Sequence, residues 1–255
     1  MTAEAWLSAC VERLRQALGF LEDMMKFTKM HGLGNDYLYV FSQTEPRNPQ
    51  NLAVKLSDRH FGAGSDGMIW ILPSAKADYK MRIFNADGSE AMMCGNGIRC
   101  VGKYVYDKGY TDKTHLTIET LSGIKMLALT VEKGKVRRVS VEMGKAAVRP
   151  SQTMTVCGQR VECIPVSMGN PHAVVYVDDV DNLPIEEIGP KFESHERFPR
   201  RVNTEFVKVL DRHTVQMRVW ERGSAETLAC GTGACAVAVS CILNGLTEDE
   251  VTVKL

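Results

Sequence analysis

The strongest constraint on this chain is that it repeats itself. Cys94-Gly-Asn-Gly97 and Cys230-Gly-Thr-Gly233 lie 136 residues apart. Each follows a short alternating apolar segment (81–84; 217–220) and a polar turn containing a glutamate (Glu90; Glu226), and each precedes an apolar stretch of helical length. Upstream, Gly34-Asn35 and Gly169-Asn170 are 135 residues apart, and residues 66–69 align loosely with 203–206 at an offset of 137. Three anchors at nearly one offset predict two homologous mixed α/β halves, each a twisted sheet around one helix, joined near 143–150. Sites built from two such halves usually lie in the cleft between them.

Composition narrows the class. The 255 residues carry 31 Lys+Arg against 31 Asp+Glu, so the formal charge is zero. This argues against a nucleic-acid or membrane-surface binder, whose affinity would come from a basic face. Hydrophobic residues at 44% and charged ones at 24% are a globular mix, without the apolar run a membrane span requires. The cysteines at 10, 94, 100, 157, 163, 230, 235 and 241 form no C-x-x-C pair and have no His at finger spacing, so neither a structural zinc site nor a disulfide framework is expected. Reduced thiols in a cytoplasmic protein are the better reading. Residues 1–24 are too charged for an export signal, while Leu7, Val11, Leu14, Leu18 and Leu21 recur at helical spacing. Met25 could itself be a start, so residues 1–24 read as an N-terminal helical extension that need not belong to the core.

Strands are expected at 26–30, 37–41, 68–72, 79–84, 116–120, 124–131 and 136–143, and helices at 54–60 and 97–108. After Pro150 a similar series follows, with strands at 153–157, 161–166, 173–177, 204–210 and 215–221, a helix at about 233–243 and a closing strand at 251–255. The halves so defined span 25–142 and 143–255.

A Cys at a strand-to-helix junction, followed by Gly-x-Gly, lets the backbone turn tightly and approach a ligand closely. The first amides of a helix have no intrahelical acceptor, and with the dipole behind them they form a seat for a carboxylate. The same field is expected to lower a thiol pKa from about 8.5 toward neutrality. Two equivalent thiols flanking one carboxylate suggest inversion of a stereocentre, because one proton must leave one face while another arrives opposite. Mirror-related products have nearly equal free energy, so acid and base need similar proton affinity. There is no Gly-x-Gly-x-x-Gly fingerprint and no recognisable pyridoxal lysine, so cofactor-free chemistry is expected.

Met30-His-Gly-Leu-Gly-Asn-Asp36, Phe84-Asn-Ala-Asp-Gly-Ser-Glu90, Cys94-Gly-Asn-Gly97, Ser167-Met-Gly-Asn-Pro-His172, Glu221-Arg-Gly223 and Ala229-Cys-Gly-Thr-Gly-Ala234 resemble the diaminopimelate epimerase family. The resemblance runs from about Met25 to the last residue. It implies an α/β fold of the α+β type, two pseudo-symmetric domains each with a barrel-like sheet around a central helix, typically as a homodimer. It also implies interconversion of LL- and meso-diaminopimelate, a small-molecule substrate, without a cofactor or metal, in lysine and cell-wall synthesis. Cys94 and Cys230 would be the acid–base pair, with Cys94 as donor and Cys230 as acceptor in one direction. The Gly95-Asn96 and Gly231-Thr232 amides would hold the reacting carboxylate. Asn35, Asn85, Asn170, Asn203, Glu221 and Arg222 would hold the other polar groups, while His172 and Glu221 would adjust the thiols. This suits a substrate with two carboxylates and two ammonium groups, since Arg222 can grip a carboxylate bidentately and Glu221 can pair with an ammonium.

Read from the residues alone, alternatives stay open. Asn35, Asn170 and Asn203 could simply stabilise turns. His172 could be an ordinary hydrogen-bonded histidine, and Glu221-Arg222 a solvated pair. Cys100, Cys235 and Cys241 read as packing residues. Rival functions are a related two-thiol proline or hydroxyproline racemase and, in another class, a non-catalytic amino-acid-binding or thiol-redox protein. Two departures from the family pattern stand out. Gly67 occupies a usual Gln position. The family also continues for roughly two dozen residues past Leu255, strands whose absence is expected to leave a sheet edge unpaired and to bear on dimerisation.

Overall fold

The computed structural model describes residues 25–255, so the helix expected within 1–24 and Cys10 lie outside the described residues. The first of two sheets contains β1 (Thr28–Gly32), β2 (Asn35–Phe41), β3 (Gly67–Leu72), β4 (Tyr79–Asn85), β5 (Glu90–Ala91), β6 (His115–Thr120), β7 (Gly123–Glu132) and β8 (Lys135–Val141). They run in the order β1-β2-β3-β4-β6-β7-β8, with β5 also beside β4. The second contains β9 (Ala147–Val148), β10 (Gln152–Val156), β11 (Gln159–Ser167), β12 (Pro171–Tyr176), β13 (Asn203–Asp211), β14 (Thr214–Glu221), β15 (Ala225–Thr227) and β16 (Thr252–Lys254). Its order is β10-β11-β12-β13-β14-β15, with β9 beside β11 and β16 beside β14. The helices are α1 (Pro49–Ser57), α2 (Gly95–Asp107), α3 (Ile185–Glu193) and α4 (Gly231–Leu243).

The repeat in sequence is a repeat in topology. Each sheet has two parallel pairings at matching places, β2 with β3 and β4 with β6 in the first, β12 with β13 and β14 with β16 in the second. The connections α1 and α3 make the crossovers that the β2–β3 and β12–β13 pairs require. The hairpins leading into each Cys-Gly-x-Gly are clamped alike. Arg82 forks onto Glu90 (Nε to Oε1, 2.8 Å; Nη2 to Oε2, 3.0 Å) and Arg218 forks onto Glu226 (2.7 and 3.1 Å). The glutamate in each polar turn is thus held by a bidentate pair, which fixes the direction in which the chain enters the helix.

Burial on both faces explains the apolar strands. Every residue of β3 is buried. Ile69 and Ile71 pack with Ile98 and Val101 of α2, while Met68, Trp70 and Leu72 pack with Ala53 of α1. In the second sheet Val207 joins Ala236 and Val237 of α4, while Phe206 joins Ile185 and Phe192 of α3. Each sheet thus wraps a helix that starts at a cysteine and carries its crossover helix on the other face.

Three expectations need correction. The helix expected at 54–60 runs Pro49–Ser57, because Pro49 takes the first turn, where its missing N–H costs nothing, and Asp58 ends it by accepting the N–H groups of His60 and Phe61 (2.7 Å each). The central helices begin at Gly95 and Gly231, two residues earlier than expected, since each cysteine is itself the N-cap. Helix α3 has no counterpart among the expected elements, because Gly189-Pro190 reads as a break. Buried Ile185 and Phe192 hold it, and Glu186 and Glu187 in its first turn favour the dipole. Among the described residues no helix is long and apolar enough to cross a membrane.

Candidate active site

Both Cys-Gly-x-Gly segments adopt one geometry. Cys94 caps α2 with φ −137° and ψ 112°, and its Sγ accepts the N–H of Gly97 at 3.3 Å. Cys230 caps α4 with φ −116° and ψ 110°, and its Sγ accepts the N–H of Gly233 at 3.3 Å. The two helix starts meet back to back, since a Cβ built on Gly95 would lie 3.5 Å from the Gly231 Cα, and the reverse holds equally. Asn96 seals this junction. Its amide donates to the Ala229 carbonyl of the other half at 3.0 Å, while Arg99 donates to its Oδ1 at 2.7 Å and to the Gly95 carbonyl at 3.0 Å.

A cleft of about 1770 Å³ runs along the junction, and both cysteines line it. From the first half Asn35, Asn85, Gly95 and Asn96 reach its wall; from the second, Asn170, His172, Glu221, Arg222, Gly231 and Thr232. Asn203 does not. It is buried behind Arg222, and its Oδ1 accepts the Arg222 N–H at 2.8 Å, so it acts on the turn that presents Glu221-Arg222. Asn85 donates to Ser89 Oγ at 3.0 Å, and Arg222 Nη1 to the Arg200 carbonyl at 3.1 Å. A smaller hollow of about 670 Å³ near Met217 and Leu255 holds none of the candidate residues.

Around Cys94, the thiol donates to Asn35 Oδ1 at 3.3 Å, and Asn35 is held by donating to Asp66 Oδ2 at 2.8 Å. Around Cys230, a chain of polar contacts runs inward. Cys230 Sγ lies 3.5 Å from Thr232 Oγ1, which accepts Asn170 Nδ2 at 3.1 Å; Asn170 Oδ1 meets His172 Nε2 at 3.1 Å, and His172 Nδ1 meets Glu205 Oε1 at 2.6 Å. Glu221 accepts a hydrogen bond from Thr227. Gly67 has φ 156°, and a Cβ there would stand 2.2 Å from the Phe84 carbonyl oxygen, so this position carries no side chain into the site.

The family described as diaminopimelate epimerase matches residues 27–148 and 164–255. A diaminopimelate epimerase of Acetivibrio thermocellus is 56% identical over 246 residues, covering 91% of this chain and 88% of that protein. One from Methanococcus maripaludis is 55% identical with the same coverage. The chain belongs to the diaminopimelate epimerase family. The fold extends beyond the family: a probable proline racemase from Agrobacterium radiobacter superposes with a TM-score of 0.68 at 18% identity (88% of this chain, 79% of that one). A phenazine biosynthesis protein from Bacillus anthracis superposes with a TM-score of 0.66, also at 18% identity (86% and 79%).

The electrostatics of this epimerase differ from the sequence expectation. Burial pushes both thiols above their ordinary range rather than down toward neutrality. At Cys94 the N–H groups of Gly97 and Asn96 and the nearby Tyr37 hydroxyl oppose the shift, and the Glu221 charge adds to it. At Cys230, after burial, the charges of Glu221 and Glu205 drive the thiol up, against Thr232 and the Gly233 N–H. Desolvation also raises the Glu221 carboxyl. The helix-end field is present, but desolvation of a thiolate outweighs it. The thiolate is the species that alkylates, so iodoacetamide should inactivate this epimerase slowly at pH 7 and faster as the pH climbs past the ordinary thiol value of about 8.5. Inactivation rates independent of pH between about 7 and 10 would contradict the shift.

Sequence reasoning does not reach Tyr37, Asp66, Arg99 or Glu205. Glu205 alone leaves a signal: in Thr-Glu-Phe-Val-Lys-Val it stands in phase with Val207 on the apolar face. Cys100 and Cys241 are buried as packing residues, Cys235 is half-buried and Cys157 exposed. Among the described residues no group of His, Cys, Asp and Glu side chains is placed to hold a metal ion.

Proposed function

We propose that this family member interconverts LL- and meso-2,6-diaminopimelate by carrying one proton off the α-carbon and delivering another to its opposite face, with Cys94 and Cys230 as the two acid–base groups. The observation that supports this most directly is the pair of cysteine-capped helix starts meeting at Gly95 and Gly231 on one cleft wall.

The α-carboxylate sits at the first N–H groups of α2 and α4, which lack intrahelical acceptors. One sulfur, as thiolate, takes the α-proton. The electron pair left on carbon delocalises into the carboxylate, where two helix dipoles stabilise the growing charge. The other sulfur, as thiol, donates its proton to the opposite face, and the thiolate and thiol have exchanged places. Glu221, whose charge acts on both sulfurs, accepts the α-ammonium, and that positive group relieves the repulsion that holds the thiols up. Arg222 binds the distant carboxylate and Asn85 another polar end; Asn203 contributes by fixing the Arg222 backbone. A racemase of proline would have no partner for Arg222. The family resemblance further supports a role in lysine and peptidoglycan precursor synthesis, a cytoplasmic location and a homodimer, the last checked by sedimentation.

The test is proton NMR in deuterated water, run on the full-length and Met25-start proteins together. The α-proton signal of LL-diaminopimelate should disappear as meso-isomer forms in both. Protein that exchanges no α-proton from either isomer would remove this reading in favour of a binding or thiol-redox role.

A further inference from the structure

The two halves repeat one plan around each thiol, and at one position the plan is broken. The ladder defines the equivalence. Ile69 lies in β3 between Tyr39 and Ile83, and Glu205 lies in β13 between Val174 and Val219, at matching places in the two sheets. Both side chains reach the same spot under the start of a central helix. A Cβ on Gly97 would stand 2.6 Å from Ile69 Cδ1, and a Cβ on Gly233 would stand 2.6 Å from Glu205 Oε1. The helix that begins at Cys94 therefore rests on a methyl group, whereas the one that begins at Cys230 rests on a carboxyl. Glu205 is 0% exposed, and its Oε2 meets no donor among the described residues. A buried oxygen left unpaired is costly, and nothing in the packing of β13 calls for it.

The neighbouring position differs in the same sense. Tyr37, paired with Gly67, stands where the second half has His172, paired with Asn203. His172 holds the Glu205 carboxyl through Nδ1 at 2.6 Å and links it through Asn170 and Thr232 to the Cys230 sulfur.

We infer that Glu205 is a positioning residue of the reaction proposed above, which places a carboxyl at the positive end of α4, opposes ionisation of Cys230 and so makes Cys94 the first thiol to ionise. Anions at a helix N-terminus are favoured by its dipole, and one already there competes with a second. The ionisable groups around Cys230 and Glu205 are His172 from β12, Glu221 from β14 and Arg99 of α2, whose Nη1 lies 3.6 Å from a Cβ built on Gly231; β11 contributes Ile164 and Val166 to the surrounding core. Glu221 acts on both sulfurs and more directly on Cys230, with which it shares a hydrogen bond, so it works in the same sense as Glu205. At Cys94 the Asn35 oxygen works against ionisation, but two backbone N–H groups and the Tyr37 hydroxyl face the sulfur as donors. What the duplicated plan itself breaks is Glu205 in one half against Ile69 in the other, and this adds to the unequal reach of Glu221. Burial raises both thiols, and the Glu205 charge is among the influences that raise Cys230.

Two variants test this: Glu205→Gln, which keeps the shape, and Glu205→Ile, which copies the first half's own solution. Iodoacetamide labelling of each cysteine is followed by peptide mass spectrometry across pH, which needs no substrate. In the wild type the midpoint for Cys94 should lie below that for Cys230. In either variant the Cys230 midpoint should fall by about one pH unit, the lower end of the effect of a nearby charge, while the Cys94 midpoint stays. With diaminopimelate, the bell of log kcat/KM against pH should narrow from its alkaline side in both variants; a purely structural role would lower the bell without narrowing it. An unmoved Cys230 midpoint in both variants overturns the inference. So do coincident or reversed midpoints in the wild type, a measurement that holds even if a variant does not fold. If wild-type protein fails to act on diaminopimelate while the midpoints remain ordered, the substrate assignment fails and the thiol asymmetry stands.

Discussion

Replacing Cys94 or Cys230 by alanine lowers the rate of interconversion by about a hundredfold to ten-thousandfold, the usual contribution of a positioned acid or base. Neither change should weaken substrate binding much, because in the binding mode proposed above the carboxylates rest on helix N–H groups and Arg222 rather than on sulfur. The loss therefore falls on kcat, with KM little altered. The double variant should be scarcely worse than either single one, since a proton that cannot leave makes the second group irrelevant. Folding is not expected to suffer much, because losing a helix N-cap, here the sulfur that accepts the Gly97 or Gly233 N–H, costs about 1 kcal/mol. Turnover above a tenth of wild type in either single variant would mean that inversion does not need both sulfurs.

Phe206→Ala should be the most damaging of the simple truncations outside the cleft. The ring is 1% exposed and packs edge-on against Phe192 with centroids 5.3 Å apart, joining β13 to α3. Removing a buried phenyl costs about 3–5 kcal/mol, against a total stability of about 5–15 kcal/mol for an ordinary domain. At about 2–4 °C per kcal/mol for chains near this size, the melting temperature should drop by roughly 10 °C. Activity measured well below the new transition should fall less than in the cysteine variants, because Glu205 and Val207 point to the opposite face of the strand from Phe206. A loss under about 1 kcal/mol in denaturant melts would show that α3 does not anchor the second sheet as described.

Much of the site is legible in the sequence because its parts are contiguous. Cys94, Gly95 and Asn96, like Cys230, Gly231 and Thr232, lie side by side in the chain, so a cysteine at a strand-to-helix junction is readable there, while only the structure shows the cysteine itself to be the N-cap. Asn203 belongs to the cleft by its place in the resemblance. Only the fold reveals that its carbonyl oxygen is committed to Arg222. Glu205 is hidden by a register error of one residue. Aligning 66–69 with 203–206 at an offset of 137 matches Glu205 with Met68, but the ladders set Gly67 at the place of Asn203 and Ile69 at that of Glu205. A slip of one residue moves a strand's side chains to the other face, so the sequence alignment turns Glu205 toward the crossover helix, where Met68 lies in the first half, instead of under the central one.

The duplication, the two thiols at helix starts and most strands of each half follow from local pattern, because turn chemistry, alternation and capping act over a few residues. The ionisation of those thiols does not. Burial, the shared Glu221 and the lone Glu205 under Cys230 are contributed by strands far away in the chain. A thiol's proton affinity depends on the sum of charge and desolvation within a few ångströms, a sum that exists only once the two sheets have closed around their helices.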